Sequence, residues 1–489
     1  MNEHLTIPGY DRTKRIGFWL LVWAAYLVLT AFSVDAAFRR YHEFGTGWSW
    51  DLAYYNQWFW TLGYGDGTIS VRPIASYAIE GPSVWKANYL SPFRLMIFPV
   101  HYLRPDPTTL LAIDCVFFWM LIPAAAKLVL DESGSRIAAL AALVLIPLTP
   151  LVMPLAANDF REMQVAVPFA LIAVAGWRQR HRGWAGLGIG GMLACRQEWA
   201  VVVAMLPLIP ARTSERPETT LRWTRAAVYL GIFWFAFAFL GYLRITCGPS
   251  STSAYLKQFG GEKPRLRETL TTAWDFLWIG MSAWIFPALL APRVALVGLP
   301  WVWSLASGKW AIRFIGAEQW HHVRYCAPYF ALFLAAGLIG WSRLWNGIRT
   351  RTNAKAAPFV LGLLWIVMAV WLVGGHQRMI ALMGGIPDPV PAEDVEPLWR
   401  IMAEVRPEDG VVAYYDLTAP LSNRQRLFSY VLNVNHPKGW PSALEPDIRY
   451  LFLEKGLKPV EIWESQNFRK IWSGRAYEVW RRDLPNSRD

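Results

Sequence analysis

Long apolar runs separated by short charged segments set the pattern of this chain. Arg15-Ile16-Gly17 is followed by FWLLVWAAYLVLTAFSV, with no charged residue before Asp35. A run of that length crosses a hydrocarbon core of ~30 Å as a helix. Counting such runs predicts spans near 16–37, 109–129, 136–153, 163–177, 184–195, 199–211, 224–243, 275–291, 294–308, 325–341 and 357–374. Several are shorter than the ~20 residues an upright span needs. The pair at 184–195 and 199–211 is the weakest and reads equally as a broken or re-entrant hairpin. Because the two come together, losing both leaves the chain ends on the same sides. The apolar core of the first run is longer than that of a cleaved leader, and no clean small-x-small site follows it, so it reads as a retained first helix.

The texture changes near residue 395. PLWRIMAEV has helical apolar spacing, Arg406-Pro407-Glu408-Asp409-Gly410 is a turn, and Val411 to Tyr415 reads as a strand. RLFSYVL and RYLFL are further strands, and KIWSGRAYEVW predicts a hairpin around Ser473-Gly474. The expected fold class is mainly α. A polytopic transmembrane bundle of about eleven spans occupies residues 1–375, with a large first outer loop at about 38–108, and a small α/β domain occupies 376–489. No internal repeat or low-complexity tract interrupts it.

Charge fixes the orientation. Arg12, Lys14 and Arg15, then Arg178, Arg180 and Arg182, then Arg212, Arg216, Arg222 and Arg225, then Arg343, Arg349, Arg351 and Lys355 fall on one side when the helices alternate. The positive-inside rule makes that side the cytoplasm. Residues 244–270, with Arg244, Lys257, Lys263, Arg265 and Arg267, run against the pattern. The expected protein is a multi-pass inner-membrane protein, N-terminus cytoplasmic and C-terminal domain extracytoplasmic. Its formal net charge of +12 belongs to these loops, so no nucleic-acid partner is expected. Only 17% of residues are charged and mean hydropathy is +0.23, both as expected of a chain surrounded by membrane lipids. The 29 tryptophans fit helices that pass through lipid headgroups. Cys115, Cys195, Cys247 and Cys326 form no CxxC pair, so neither a zinc site nor a disulfide framework is indicated.

The unusual polar residues gather on the outer side. In WDLAYYNQWFW, Asp51 opens a helix on which Leu52, Tyr55, Phe59 and Leu62 follow at helical spacing; an acid there equally caps the helix. Asn88-Tyr89-Leu90-Ser91-Pro92-Phe93 starts an apolar helix along the outer surface. Asp159 and Glu162, between the third and fourth spans, would hold a divalent cation such as Mg or Mn, although capping and an Asp–Arg pair explain them as well. Arg196 and Glu198 lie between the fifth and sixth spans, and His321, His322 and Arg324 precede the tenth. With Asn56, Gln57 and Asn88 these are the candidates for substrate contact. No nucleophile elbow, P-loop, zincin motif or dinucleotide fingerprint is present, which removes support for triad hydrolysis and nucleotide-driven transport.

WDLAYYNQWFWTLGYGDG, NYLSPF, NDFREMQVAVPFALIAVAGW, RQEWA and HHVRYCAPYFALFLAAGL resemble, in order, the predicted membrane proteins of domain-of-unknown-function family 2079, and VRPEDGVVAYYDLTAPLSNRQRLFSY resembles that family's C-terminal domain. The family usually shows His at the places of Tyr89 and Arg161 and a Lys-Glu-Asp run where Arg196-Gln197-Glu198 stands. The layout is similar in turn to class C glycosyltransferases, such as the protein mannosyltransferases and the aminoarabinose lipid A transferases. That likeness implies sugar transfer from a polyprenyl-phosphate sugar to an acceptor on the outer side. By position Asp51 would be the general base, and Asp159 or Glu162 the second acidic site. Arg324, His322, Arg196 or the bound cation would meet the leaving phosphate. The alternative is a lipid flippase or transporter-like protein that uses the same cavity without catalysis. It is disfavoured by the lack of paired inverted halves.

Overall fold

A computed structural model describes residues 12–45, 49–73, 83–86, 89–157, 159–212, 217–247, 266–307, 323–353, 355–382, 390–430, 444–456 and 466–482. In chain order the helices are α1 (Arg12–His42), α2 (Ser49–Tyr64), α3 (Pro92–Leu103), α4 (Pro107–Trp119), α5 (Leu121–Ser133), α6 (Arg136–Leu145), α7 (Val152–Ala156), α8 (Glu162–Arg178) and α9 (Arg182–Cys195). They continue as α10 (Trp199–Met205), α11 (Pro217–Ala236), α12 (Leu243–Cys247), α13 (Leu266–Asp275), α14 (Ile285–Ala288), α15 (Pro292–Ser307), α16 (Ala327–Arg351), α17 (Ala356–Leu382) and α18 (Ala392–Glu404).

Among the described residues five helical stretches are long and apolar enough to cross a membrane: Arg15–His42, Pro107–Ser133, Glu218–Thr246, Val323–Arg351 and Ala356–Ala381. The expectation of about eleven spans is corrected to these five. Each of the other apolar runs does meet a helix, but a short or broken one. α6 has 10 residues, α9 has 14 and α8 has 17 with Pro168 inside it. The run near 275–291 is divided between α13, a π-helical stretch at Phe276–Met281 and the single turn of α14. At 1.5 Å per residue α8 is roughly 25 Å long, less than a hydrocarbon core. It does not need lipid contact, because nearly all of it is buried in protein.

Burial separates central from peripheral spans. The most apolar window of Val323–Arg351 is 89% buried, that of Arg15–His42 22%. On α1 the outward Leu20, Leu27 and Phe32 are exposed, as are Phe359, Leu363 and Val370 on α17. The interior is held by close backbone approach: a Cβ added to Gly188 of α9 would lie 2.3 Å from the Ala173 nitrogen of α8. Small residues at such seams let helices meet without a hydrophobic driving force between them.

Tryptophan has a second role that composition does not reveal. Trp177, Trp199, Trp284 and Trp341 are fully buried. The Trp177 indole donates to Ile209 O at 3.0 Å, Trp341 to Ala138 O at 3.0 Å and Trp365 to Ala141 O at 2.9 Å. Each ties its helix to the backbone carbonyl of another segment.

The C-terminal strands are β2 (Gly410–Tyr414), β3 (Leu427–Tyr430), β4 (Ile448–Glu454), β5 (Phe468–Ser473) and β6 (Tyr477–Arg482), and β5 and β6 form the expected hairpin. The sheet order is β1-β3-β2-β4-β6-β5, where β1 is Arg72–Pro73 of the first outer loop. β1, β3, β2 and β4 pair in parallel, β4 with β6 antiparallel. The domain is fastened to the end of α1 as well: Trp399 of α18 donates to His42 O at 2.7 Å and stacks on Phe44.

Candidate functional site

Residues from α2, α3, the α7–α8 turn, the α9–α10 turn and the start of Val323–Arg351 converge at one end of the bundle. Asp51, in the first turn of α2, is bound by two guanidinium groups. Arg161 contacts its Oδ2, and Arg324 Nη1 lies 3.2 Å from the same oxygen. The Asp51 side chain is 18% exposed and that of Arg161 only 3%. Arg161 also donates to Phe160 O at 2.9 Å. Tyr415, from the C-terminal domain, closes over the cluster. Burial, then the Asp51 carboxylate, push its hydroxyl above the ordinary tyrosine range.

Behind Asp51 lies Asp159. Burial raises its carboxyl above the usual range, while Arg40 and Arg161 pull it down. Arg40, from the last turns of α1, also donates to Ala157 O. On the other flank Arg94 of α3 pairs with Glu162, both almost fully buried. Tyr55 stands between the two arginines, with the Arg94 and Arg161 guanidinium carbons each 4.9 Å from its ring centroid. Further along, Arg196 pairs with Glu198 at 2.5 Å and covers the Tyr89 ring at 3.7 Å. Among the described residues Arg40, Arg94, Arg161, Arg196 and Arg324 therefore meet Asp51, Asp159, Glu162, Glu198 and the buried Asp114, whose Oδ1 accepts from Arg161 N at 3.4 Å, five cations against five carboxylates. Arg94 Nη2, Glu162 Oε2 and Gln197 Nε2 are buried there without a hydrogen-bond partner among the described residues.

Asp51, Arg196, Glu198, Arg324, Asp159 and Glu162 thus fall in one region, as their common side predicts. Asn88, His321 and His322 lie outside the described residues. Asn56 and Gln57, also expected at the substrate, take their hydrogen-bond partners from the protein itself. Both are fully buried. Asn56 Nδ2 donates to Ser422 Oγ at 2.8 Å and Asn423 Oδ1 at 2.6 Å, and His101 Nε2 lies 2.8 Å from its Oδ1. Burial holds His101 down to about 4, so at neutral pH the ring is uncharged. Gln57 Nε2 donates to Ser70 Oγ at 2.8 Å and Arg424 O at 3.0 Å, while its Oε1 accepts from Val71 N at 2.5 Å. These amides bind the C-terminal domain and β1 to α2. The cation expected at Asp159 and Glu162 also meets a poor donor set, because each carboxylate faces guanidinium groups. Among the described residues no three His, Cys, Asp or Glu side chains gather as a metal site.

Sequence reasoning does not single out Arg40, Arg94, Tyr55 or Tyr415, and it gives Arg161 no role. Arg94 left a signal, as the lone charge in the apolar run PFRLMIFPV. Tyr415 left none, since only the folded domain brings it to Asp51.

No protein-family model matches this sequence, and no curated protein does. The motif resemblance to domain-of-unknown-function family 2079 gains no support from that search. Solved structures do share the fold. ArnT from Cupriavidus metallidurans bound to undecaprenyl phosphate is similar at a TM-score of 0.57 and 13% identity, over 95% of this chain and 98% of that one. The same protein in the apo state is similar at 0.54 and 14%, over 96% and 98%. At that identity the likeness is one of fold.

Proposed function

We propose that this chain is a membrane glycosyltransferase of the inner membrane that moves a sugar from a polyprenyl-phosphate donor to an acceptor hydroxyl on the extracytoplasmic side. The observation that carries the reading is the Asp51 carboxylate held between Arg161 and Arg324 in a fold shared with a protein that binds undecaprenyl phosphate. In the reaction, the acceptor oxygen forms a bond to the anomeric carbon and the bond from that carbon to the phosphate oxygen breaks. The electron pair leaves with polyprenyl phosphate, and the acceptor proton passes to Asp51 as general base. A carboxylate gripped by two guanidiniums is a weak base. Donor binding supplies the release, because phosphate oxygens compete for the same forks and draw Arg161 and Arg324 away from Asp51. Charge stabilisation of the departing phosphate then falls to these arginines, and no step is routed through a metal ion.

The flank of α3 suits an isoprenoid chain. Leu95, Met96, Val100 and Leu103 are exposed on its outer face, while Arg94 is turned inward to Glu162. The test offers purified protein in nanodiscs a panel of polyprenyl-phosphate sugars and follows release of polyprenyl phosphate. Wild type should turn over at least one donor, and Asp51→Asn should lose at least ~10²-fold while still inserting and binding donor. Full activity in Asp51→Asn would remove the catalytic role. Lipid scrambling without turnover of any donor would replace the reading with a flippase.

A further inference from the structure

The end of the bundle opposite Asp51 carries a cleft that the sugar-transfer reading does not use. α8, 17 residues long, starts at Glu162 in the site and ends at Arg178, roughly 25 Å away. There Arg178 makes a two-pronged pair with Glu132, at 2.5 and 2.8 Å, and is satisfied. Beside it, between α9 and α11, opens a cavity of about 370 Å³. It is lined by the polar Arg182, Thr219 and Arg222 and by the apolar Ile189, Ala227 and Leu230 further along the same two helices. The indoles of Trp177 and Trp223 form one wall, edge to face at 5.5 Å. The Arg180 guanidinium lies over both, at 4.9 and 5.5 Å from the ring centroids.

Three features point to one kind of occupant. Arg182 and Arg222 are exposed, and neither has a carboxylate partner among the described residues. Beside them the lining is apolar, where a free inorganic anion would gain nothing. Tryptophan and arginine together mark headgroup depth, and basic pockets between membrane helices hold anionic headgroups. The volume lies within the range of small-molecule pockets, ~300–1,000 Å³.

We propose that this cleft seats an anionic glycerophospholipid, with its phosphate at Arg182 and Arg222 and an acyl chain against Ile189, Ala227 and Leu230. The site is separate from the donor site and does not depend on the chemistry assigned there. The experiment titrates full-length protein in detergent with phosphatidylglycerol or phosphatidylcholine and counts retained lipid by native mass spectrometry. Wild type should retain phosphatidylglycerol preferentially. The double variant Arg182→Gln with Arg222→Gln should lower that retention roughly ten-fold or more and leave phosphatidylcholine unchanged, each arginine near a headgroup contributing roughly five-fold. Ala226→Trp, which fills the cleft and keeps both arginines, should do the same. Arg349→Gln with Arg351→Gln, an equal charge change at the same end, should leave retention intact. Equal retention of the two lipids by wild type, or an equal loss in both double variants, would overturn the proposal. So would displacement of phosphatidylglycerol by glycerol-1-phosphate, which would show a headgroup site with no seat for a chain.

Discussion

Removing Arg161 tests whether the Asp51 cluster is an energetically coupled unit. In Arg161→Gln, Asp51 keeps Arg324 at 3.2 Å but loses its most buried partner, and Asp159 loses one of the three guanidiniums that oppose its burial. Breaking a buried ion pair from one side costs about 3–5 kcal/mol, because a charge is stranded in low dielectric. Asp51 retains some solvent and a second arginine, so the low end applies, about 3 kcal/mol. Asp51→Asn strands Arg161 less severely, since Phe160 O and Asp159 still face it. About 2 kcal/mol is expected, the scale of one charged hydrogen bond. The double variant has neither member to strand and should fall about 2 kcal/mol short of additivity, within the range seen for contacting charges. SDS titration of detergent-solubilised protein, followed by tryptophan fluorescence, gives all four stabilities. Arg161→Lys keeps the charge but not the fork and should recover only part of the loss. Additivity within about 0.5 kcal/mol would refute the coupling, and the two residues would then be neighbours without a shared role.

Gly188→Leu should separate α8 from α9 and lower stability by at least about 3 kcal/mol, because its Cβ would meet the Ala173 backbone; Gly188→Ala should already cost about 1–3 kcal/mol, measured by the same titration. Asp416 gives the C-terminal sheet a pH dependence: burial raises its carboxyl to about 7, against a hydrogen bond from Tyr477 Oη at 3.3 Å. A raised folded-state value contributes stability that is complete below the unfolded value near 4 and is lost as pH rises through about 7. Hydrogen exchange at β2 and β6 should therefore accelerate over that window in wild type and lose this slope in Asp416→Asn; an unchanged slope would assign it to another group.

What the sequence disclosed and what it withheld divide along physical lines. Apolar runs long enough to face lipid on their own, such as Arg15–His42 and Ala356–Ala381, are legible because composition alone decides their environment. An interior helix such as α8 escapes a length rule, since protein replaces lipid around it. The helix opened by Asp51 was readable from spacing, and Leu52, Tyr55 and Phe59 are buried as that spacing requires. The hairpin at Ser473-Gly474 was readable from its turn residues. The duties of Asn56 and Gln57 were not. A buried amide that binds a distant loop and one that binds a ligand have the same local sequence, and only the partners at Ser422 and Arg424 separate them. Nor does a two-residue strand at Arg72–Pro73 have any period to detect; its partner in β3 defines it.

That short strand sets a timetable for synthesis. Ser70 accepts from the Leu427 amide across 357 positions of sequence. At ~5–20 residues per second, the first outer loop waits roughly 20–70 s on the ribosome before its sheet partner exists. During that interval α2 holds Asn56 and Gln57 with their final partners still unmade, and Asp51 has no Tyr415 above it. A nascent or truncated chain therefore has an open, incomplete site even when every long apolar helix is already inserted. The surroundings of Asp51 are completed in one late step, when β3 docks beside β1, so a chain that stops before Tyr415 never closes that cluster.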